Sequence, residues 1–253
     1  MNIVIIGTGN TATVLGRKFR EAGHLITQVF GRDASEASKL AYEFDTESTN
    51  YWSVIRKDAD FYLIAVSDDA IQEVAKHVVV PGKVVAHTAA SVKKDVLKNM
   101  TPHYGVFYPL QSLRMDVKEP REIPVYIDAS DETAKKKIEE LASSISDENV
   151  VIANDDERLK MHVAAVIVSN FTNHLYKLAE DYCKKEGIDF KQLLPLIEET
   201  ASRLKTVAAS KSQTGPAVRH DDPTIEQHLK LLEKHPQLKK VYEVMTESIQ
   251  HPG

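Results

Sequence analysis

The chain begins with a run of β-branched residues that leads directly into a glycine-rich turn. Residues 3–6 read Ile-Val-Ile-Ile, and residues 7–12 read Gly-Thr-Gly-Asn-Thr-Ala. The spacing G-x-G-x-x-A is a variant of the fingerprint that binds the pyrophosphate of a dinucleotide, in which the first glycine permits a tight turn and the second admits the pyrophosphate. We therefore predict the following cofactor-binding residues: Gly7, Thr8, Gly9, Asn10, Thr11 and Ala12.

The residues that follow the turn support this interpretation. An amphipathic helix is expected over residues 11–22, with apolar residues such as Val14 and Phe19 on one side, and a β-type run follows at residues 25–30. The first amides of such a helix would face the phosphates. This order of elements predicts one half of a nucleotide-binding Rossmann fold. The alternative is the same doubly wound fold with an empty or degenerate site.

The residues after the second β-type run indicate which dinucleotide binds. An NAD site usually places an acidic residue here for the ribose 2′-hydroxyl, whereas an NADP site offers an arginine to the 2′-phosphate. Arg32 falls at this tip, where its guanidinium can hold a phosphate, and Ser35 adds a hydroxyl donor. NAD remains an alternative, because Asp33, one residue later, could take the place of the acidic residue of an NAD site. The alternative for Arg32 is a solvated charge in a loop. We predict NADP (NADPH) as the cofactor.

Composition excludes several classes of partner. The net charge of −5 offers no basic field for nucleic acid or an anionic membrane, and no apolar stretch approaches the ~20 residues that span a bilayer. No signal peptide is expected before the first strand, and the single cysteine, Cys183, excludes an internal disulfide. We therefore expect a cytoplasmic protein that binds neither nucleic acid nor a membrane, and we predict no metal site.

Strand and helix patterns alternate up to about residue 153. Besides the first two, β-type runs are expected at residues 61–66, 83–88, 105–108, 125–127 and 150–152, with a helix at 131–144. Alternation at this spacing predicts a mostly parallel sheet that is covered by helices on both faces.

From residue 155 onward only helical patterns remain. They cover residues 155–185, 190–205, 224–233 and 238–249. The sequence therefore predicts an α/β fold class: an N-terminal doubly wound Rossmann domain with a mostly parallel sheet at residues 1–153, followed by an all-α domain at residues 154–253. We assign NADP binding to the first domain, and substrate binding and dimerisation to the second.

Polar residues follow several of the predicted strands, at the sheet edge where ligands bind in such folds. Val66 and Ser67 are expected along the nicotinamide ribose, and Thr88 beside the nicotinamide. His87 is the side chain best suited to proton transfer near neutral pH, although a buried structural histidine is an equal alternative. Further candidates for contact with a substrate are Ser91 and Gln111, with hydrogen bonding to the loop backbone as the alternative for Gln111.

A polar stripe is predicted on the long helix after residue 155. At ~100° per residue, His162, Ser169 and Asn173 fall within roughly 40° of one another, and the remaining surface between Val163 and Phe171 is largely apolar. The helix is therefore expected to be buried on most sides. The stripe is read as a polar wall opposite the nicotinamide, or alternatively as hydrogen bonding within a subunit interface.

Together these elements resemble one family. The elements are the glycine-rich turn, Gly31-Arg32, His87-Thr88-x-x-Ser91, Pro109-Leu110-Gln111-Ser112, Ser169-Asn170-Phe171 and Thr214-Gly215-Pro216-x-x-Arg219-x-Asp221. The family is a bacterial group of Rossmann-like proteins, labelled NADP oxidoreductases, with a helical C-terminal domain of unknown function. More distantly, the chain is similar to pyrroline-5-carboxylate reductases, deazaflavin-dependent NADP reductases and β-hydroxyacid dehydrogenases. This resemblance implies a two-domain subunit, a homodimer through the helical domain and an active site in the interdomain cleft.

One departure from the wider set concerns a catalytic lysine. The β-hydroxyacid dehydrogenases have an asparagine four residues after that lysine, whereas here Lys160 is followed at this spacing by Ala164. Lys160 is therefore not predicted to be catalytic. The favoured hypothesis is an NADP(H)-dependent oxidoreductase acting on a small carbonyl, hydroxy or imine substrate, with His87 or His162 relaying a proton. The alternative is a non-catalytic NADP(H)-binding sensor or scaffold, because the fold alone does not establish catalysis.

Overall fold

The computed structural model describes residues 1–117, 122–146 and 149–251. Contacts divide the chain into two compact units, Met1–Ile167 and Val168–Gly253. The first unit contains one eight-stranded sheet, and the second is helical. The predicted fold class is therefore confirmed. The strands are β1 (Asn2–Ile6), β2 (Leu25–Phe30), β3 (Glu47–Thr49), β4 (Phe61–Ile64), β5 (Val84–His87), β6 (Tyr104–Pro109), β7 (Val125–Ala129) and β8 (Val150–Ile152).

The order of the strands across the sheet is β3-β2-β1-β4-β5-β6-β7-β8. All neighbours are parallel except β6 and β7, which run antiparallel. The order reverses between β1 and β4, and ligands of doubly wound folds bind at such a switch point. Every residue of β4 and β5 is buried, as expected for central parallel strands that are covered on both faces.

Local sequence explains where the helices of the first unit begin. Helix α1 (Asn10–Glu21) begins directly after the glycine-rich turn. Helix α4 (Glu132–Ser143) begins at Asp131, whose carboxylate caps it by accepting the Ala134 N–H. The side chain of Asn154 caps α5 (Asp155–Ala165) in a reciprocal capping box. The two remaining α-helices of the sheet layer are α2 (Ala34–Phe44) and α3 (Ile71–His77).

The second unit is built from helices. The patterns predicted at residues 190–205, 224–233 and 238–249 are confirmed to within a few residues, whereas the short helix at residues 209–212 was not predicted. Gly187, in the left-handed region at φ 70°, ends the first of these helices. None of the described helices is long and apolar enough to cross a membrane. The α-helices are α6 (Thr172–Glu186), α7 (Leu194–Arg203), α8 (Ala209–Ser212), α9 (Asp222–Leu231) and α10 (Pro236–Gln250).

The long helix predicted at residues 155–185 differs from expectation in two ways. A π-helical segment, Val166–Phe171, interrupts it, so the ~100° step that placed Ser169 and Asn173 in line with His162 does not hold there. The expectation that the helix is buried on most sides is wrong for the single chain, because Val168 is 72% and Phe171 60% exposed. The helical domain was predicted to start at residue 154, whereas contacts place α5 in the first unit.

Candidate dinucleotide-binding site

A cavity of about 910 Å³ lies in the first unit beside the turn after β1 and the ends of β2 and β4. The predicted cofactor residues that line it are Gly7, Thr8, Gly9, Asn10, Thr11, Arg32, Val66 and Ser67. Asp33, the alternative that sequence left open, and Gly31 also line it, and the lining residues that sequence reasoning missed are Phe30, Asn50, Trp52, Ala65, Asp69, Ala70, Glu73 and Val74. Ala12, Ser35 and Thr88, which were also predicted, are not among the lining residues.

The two glycines of the turn meet different surroundings. Gly7 adopts φ +134°, and a Cβ there would lie 2.0 Å from the Ala65 carbonyl oxygen. A Cβ on Gly9 would meet no described atom within 4 Å, so Gly9 faces open space in the cavity. Ala12 is fully buried in the core beneath α1, consistent with close packing of the helix on its strand. The internal packing therefore requires Gly7, whereas Gly9 leaves room for a ligand.

The first turn of α1 is suited to an anion. Gly9 is its N-cap residue, no described side chain caps the helix, and its first turn holds no acidic residue. The amide groups of this turn therefore remain available to phosphate oxygens. The Asn10 side chain is occupied elsewhere, because its Oδ1 accepts the Met115 N–H at 3.0 Å.

Asp33 and Arg32 have different roles at the end of β2. The Asp33 carboxylate accepts the backbone N–H groups of Ser35 at 2.8 Å and Glu36 at 3.1 Å, and thereby caps α2. Arg32 is exposed at the cavity and makes neither a hydrogen bond nor an ion pair with any residue that the structure describes. Interaction with the Ser67 hydroxyl, together with a smaller effect of Arg32, lowers the pKa of Asp69.

A stack of rings borders the same cavity. Trp52, the only tryptophan of the chain, lies between Phe30, at 4.1 Å between centroids, and His77, at 5.1 Å. The interplanar angles are 26° and 15°, and His77 Nε2 contacts a Glu73 carboxylate oxygen at 3.0 Å. We call this stack of Phe30, Trp52 and His77 the Trp52 wall. No sequence motif indicated it, because Trp52 follows β3, a strand that the pattern did not predict.

His87 fits the structural alternative that its sequence position left open. The side chain is fully buried, and its Nδ1 accepts the Ala89 N–H at 3.2 Å. Burial, and secondly the charge of Arg158, lowers the pKa of His87 to about 4. The imidazole is therefore neutral near pH 7 and is enclosed by protein.

The polar side chains at the ends of β4 and β5 are bonded to the protein itself. The Thr88 hydroxyl donates to the Ile64 carbonyl at 3.4 Å, and the Ser91 hydroxyl donates to the Asp68 carboxylate. The second contact joins the segment after β4 to the segment after β5. Gln111, after β6, is exposed, and its Oε1 accepts the Ser112 N–H at 2.9 Å.

A different polar stripe forms on α5. Asp155 accepts the Lys94 N–H at 3.2 Å. Arg158 donates to the backbone carbonyls of Ala90 and Val92, in the loop that follows β5 (the β5 loop). His162 Nδ1 lies 3.0 Å from the Tyr108 hydroxyl. The spacing of three and then four residues places these side chains on one face of the helix. Ser169 and Asn173, the other predicted members of the His162 stripe, are exposed residues of the second unit.

Comparison with known families matches both parts of the chain. Residues 2–91 match the model described as NADP oxidoreductase coenzyme F420-dependent, and residues 123–249 match the domain of unknown function DUF2520. No relative was found among curated proteins.

Solved structures extend the comparison over the whole chain. A candidate NADP oxidoreductase from Bacteroides fragilis is 34% identical, with 98% of this chain and 97% of that chain covered and a TM-score of 0.89. An imine reductase from Myxococcus stipitatus in complex with NADP+ is 15% identical over 99% and 93% of the two chains, with a TM-score of 0.69. A 1-pyrroline-5-carboxylate reductase from Streptococcus pyogenes is 13% identical over 99% and 98%, with a TM-score of 0.65. The last two show a shared fold.

Proposed function

The chain belongs to the family of NADP oxidoreductases that carry the DUF2520 domain, and from this premise we propose that it is an NADP(H)-dependent oxidoreductase of small carbonyl, hydroxy or imine compounds. The observation that carries the choice of cofactor is the division of roles between Arg32 and Asp33. Because the Asp33 carboxylate caps α2, Arg32 is the side chain left for the adenosine ribose, and its planar guanidinium suits a 2′-phosphate.

The cavity supplies a binding role for each part of the cofactor. The amides after Gly9 would bind the pyrophosphate, Arg32 the 2′-phosphate, and the exposed part of Trp52 would contact the adenine. Val66 and Ser67 would pass along the nicotinamide ribose. A bound reduced nicotinamide supplies a hydride. Ser35 and Thr88 remain proposed outer contacts, since Ser35 lies in the first turn of α2, shortly after Arg32 in the sequence, and Thr88 follows β5.

The same premise guides the proposal for the substrate. The names of the imine reductase and the pyrroline-5-carboxylate reductase give cyclic imines as the first compounds to test. Of the two histidines, we favour His162 over His87 for a proton path, since His87 is fully buried with a pKa of about 4. Contacts of the substrate with Ser91, Gln111, Ser169 and Asn173, and its location in an interdomain cleft, stay proposals.

Cofactor titration of matched variants tests the proposal. Arg32→Ala is expected to weaken NADPH binding by roughly 1.5–3 kcal/mol, about ten- to a hundredfold, and to leave NADH binding nearly unchanged. Asp33→Asn is the control, since an asparagine can still cap α2. Equal losses of affinity for NADPH and NADH in Arg32→Ala would contradict the assignment.

A sensor or scaffold that binds NADP(H) without turnover is the second candidate. It gains support from Thr88 and Ser91 after β5, because both hydroxyls already donate hydrogen bonds to groups of the protein rather than pointing free toward a substrate. The two functions are separated by incubating the protein and NADPH with aldehydes, keto acids and cyclic imines. Oxidation of NADPH that depends on the added compound supports the enzyme, whereas tight binding without oxidation across all three classes supports the sensor.

We further propose a cytoplasmic homodimer that is assembled through the helical domain. The single cysteine, Cys183, is buried and unpaired, which fits a reducing compartment. Apolar side chains of the DUF2520 region, such as Val168 and Phe171, are exposed in the single chain, and exposed apolar surface of this kind is typical of protein interfaces.

A further inference from the structure

One hydrogen bond links the end of β6 to α5. The Tyr108 hydroxyl lies 3.0 Å from His162 Nδ1, and the two rings meet edge to face with centroids 6.0 Å apart. Tyr108 is 9% exposed, and His162 is half-buried. A phenol that is hydrogen-bonded to an imidazole can donate its proton and then be reprotonated through the imidazole.

Contacts connect the pair to the sheet edge where the nicotinamide is expected to bind. With the adenosine at Arg32 and the pyrophosphate at the turn after β1, the nicotinamide extends toward the ends of β4 and β5. Ser67 lines the cavity there, and the next residue, Asp68, accepts the Ser91 hydroxyl. Ala90, one residue before Ser91, packs in one buried cluster with Tyr108.

The helix that carries His162 is fixed to this edge by a buried arginine. Arg158, one turn earlier and 1% exposed, donates from Nε to the Ala90 carbonyl at 3.1 Å and from Nη2 to the Val92 carbonyl at 2.7 Å. The same Nη2 contacts the Asp155 carboxylate at 2.7 Å. These bonds hold α5 and the β5 loop together, and they set the position of His162 against Tyr108.

We propose that Tyr108 is the proton-donating catalytic residue of the proposed reduction and that His162 is its positioning residue. The proposal rests on the proposed function. As the substrate carbon accepts the hydride and its two electrons from the reduced nicotinamide, which is oxidised, the Tyr108 O–H bond breaks and a new N–H or O–H bond forms on the substrate. The phenolate accepts a hydrogen bond from Nδ1–H of His162 and takes that proton while Nε2 of the same ring receives a proton from solvent, so that both side chains return to their neutral forms.

The protonation state of Tyr108 agrees with this role. Burial raises the pKa of Tyr108, and the charge of Arg158 opposes that effect in part. The phenol is therefore protonated at neutral pH, as a donor must be. Asp68 also acts on Tyr108 electrostatically, which agrees with their common location at this edge.

Two charge states of the cofactor test the location without any substrate. The nicotinamide ring is positively charged in NADP+ and neutral in NADPH, whereas the adenosine ends are identical. In histidine-labelled protein observed by NMR, with His162→Gln and His77→Gln for assignment, the His162 resonances are expected to differ between the two complexes. His77, which stacks on Trp52 at the adenosine end, is the internal control and should respond equally to both.

The outcomes separate the inference from the function on which it rests. A His162 that responds identically to both forms while His77 reports binding would overturn the location of the pair. If saturating cofactor moves neither histidine, the proposed function fails and the inference fails with it.

Turnover tests the proton transfer itself. With NADPH and 1-pyrroline, Tyr108→Phe is expected to lower the rate by about 10²–10⁴-fold while the NADPH affinity stays within about twofold. Tyr126→Phe is the matched control, because its ring lies 6.4 Å from that of Tyr108 without contacting His162. Equal rates for wild type and Tyr108→Phe would exclude Tyr108 as the donor, and absence of turnover in the wild type leaves the decision to the NMR comparison.

Discussion

Gly7 approaches the backbone of Ala65 so closely that a Cβ on Gly7 would stand 2.0 Å from the Ala65 carbonyl oxygen. This contact joins the turn after β1 to the end of β4, the two segments that border the switch point of the sheet. Gly9, two residues later, has no such neighbour, because the space above it is open. One motif thus contains a glycine that the fold requires and a glycine beside which the space is open.

Alanine variants of the two glycines should separate stability from binding. Gly7→Ala combines a backbone clash with a strained φ of +134°, and we expect its free energy of unfolding to fall by about 3–5 kcal/mol. Gly9→Ala should fold with a change of less than about 1 kcal/mol but bind NADPH at least about tenfold more weakly, because its Cβ would occupy the space proposed for the pyrophosphate. Urea unfolding and cofactor titration measure both, and unchanged NADPH affinity in Gly9→Ala would contradict the phosphate assignment.

Removal of the buried Arg158 guanidinium should be costly. Arg158→Met would remove the hydrogen bonds that the guanidinium donates to the Ala90 and Val92 carbonyls and its ion pair with Asp155, and we expect a loss of about 3 kcal/mol in the free energy of unfolding. Arg219→Met is the matched control, since Arg219 is exposed and lies 3.8 Å from Asp221, and it should cost less than about 0.5 kcal/mol. Similar losses in both variants would show that burial of Arg158 has no special importance.

The elements that sequence predicted best are those with strong local patterns. The runs at residues 25–30 and 150–152 coincide with β2 and β8, because each is rich in β-branched and other apolar residues. The strand β3 was missed because its residues, Glu47–Thr49, are mostly polar and become a strand only by pairing with β2. The Trp52 wall depends on that strand and was therefore missed with it.

In the predicted site, too, the residues in local motifs were identified, whereas roles that depend on contacts were not. The glycine-rich turn and Arg32 meet at one cavity because both follow directly from strand ends. The role of Asp33 depended on a capping bond, which a spacing argument alone does not fix. Tyr108 was read as an ordinary strand residue, because its contact with His162 joins positions that are far apart in the sequence.

The buried imidazole of His87 should make stability depend on pH. In the unfolded chain the imidazole binds a proton below its ordinary pKa of 6.5, whereas in the folded protein it does so only below about 4. The unfolded state therefore binds more protons in this window, and the free energy of unfolding falls as the pH decreases through it. From near pH 7.5 to about pH 5 we expect His87 to account for a loss of about 2 kcal/mol.

His87→Asn isolates this contribution, because an asparagine oxygen can still accept the Ala89 N–H that Nδ1 accepts in the wild type. Urea unfolding of both proteins at the two pH values cancels the effect of all other titrating groups. The wild type should lose about 2 kcal/mol more than the variant. Parallel pH dependences would mean that the imidazole is protonated as easily in the folded protein as in the unfolded chain.

The exposed apolar side chains of the long helix predict a homodimer. Val168 is 72% and Phe171 60% exposed in the single chain, which is unusual for large apolar residues unless another surface covers them. Light scattering at micromolar concentration should give twice the 28.3 kDa of one chain. The double variant Val168→Glu, Phe171→Glu should halve that mass, since burying two charges of like sign opposes association. Leu25→Lys, at an equally exposed apolar position (59%) on β2, should remain dimeric, and a monomeric wild type would refute the prediction.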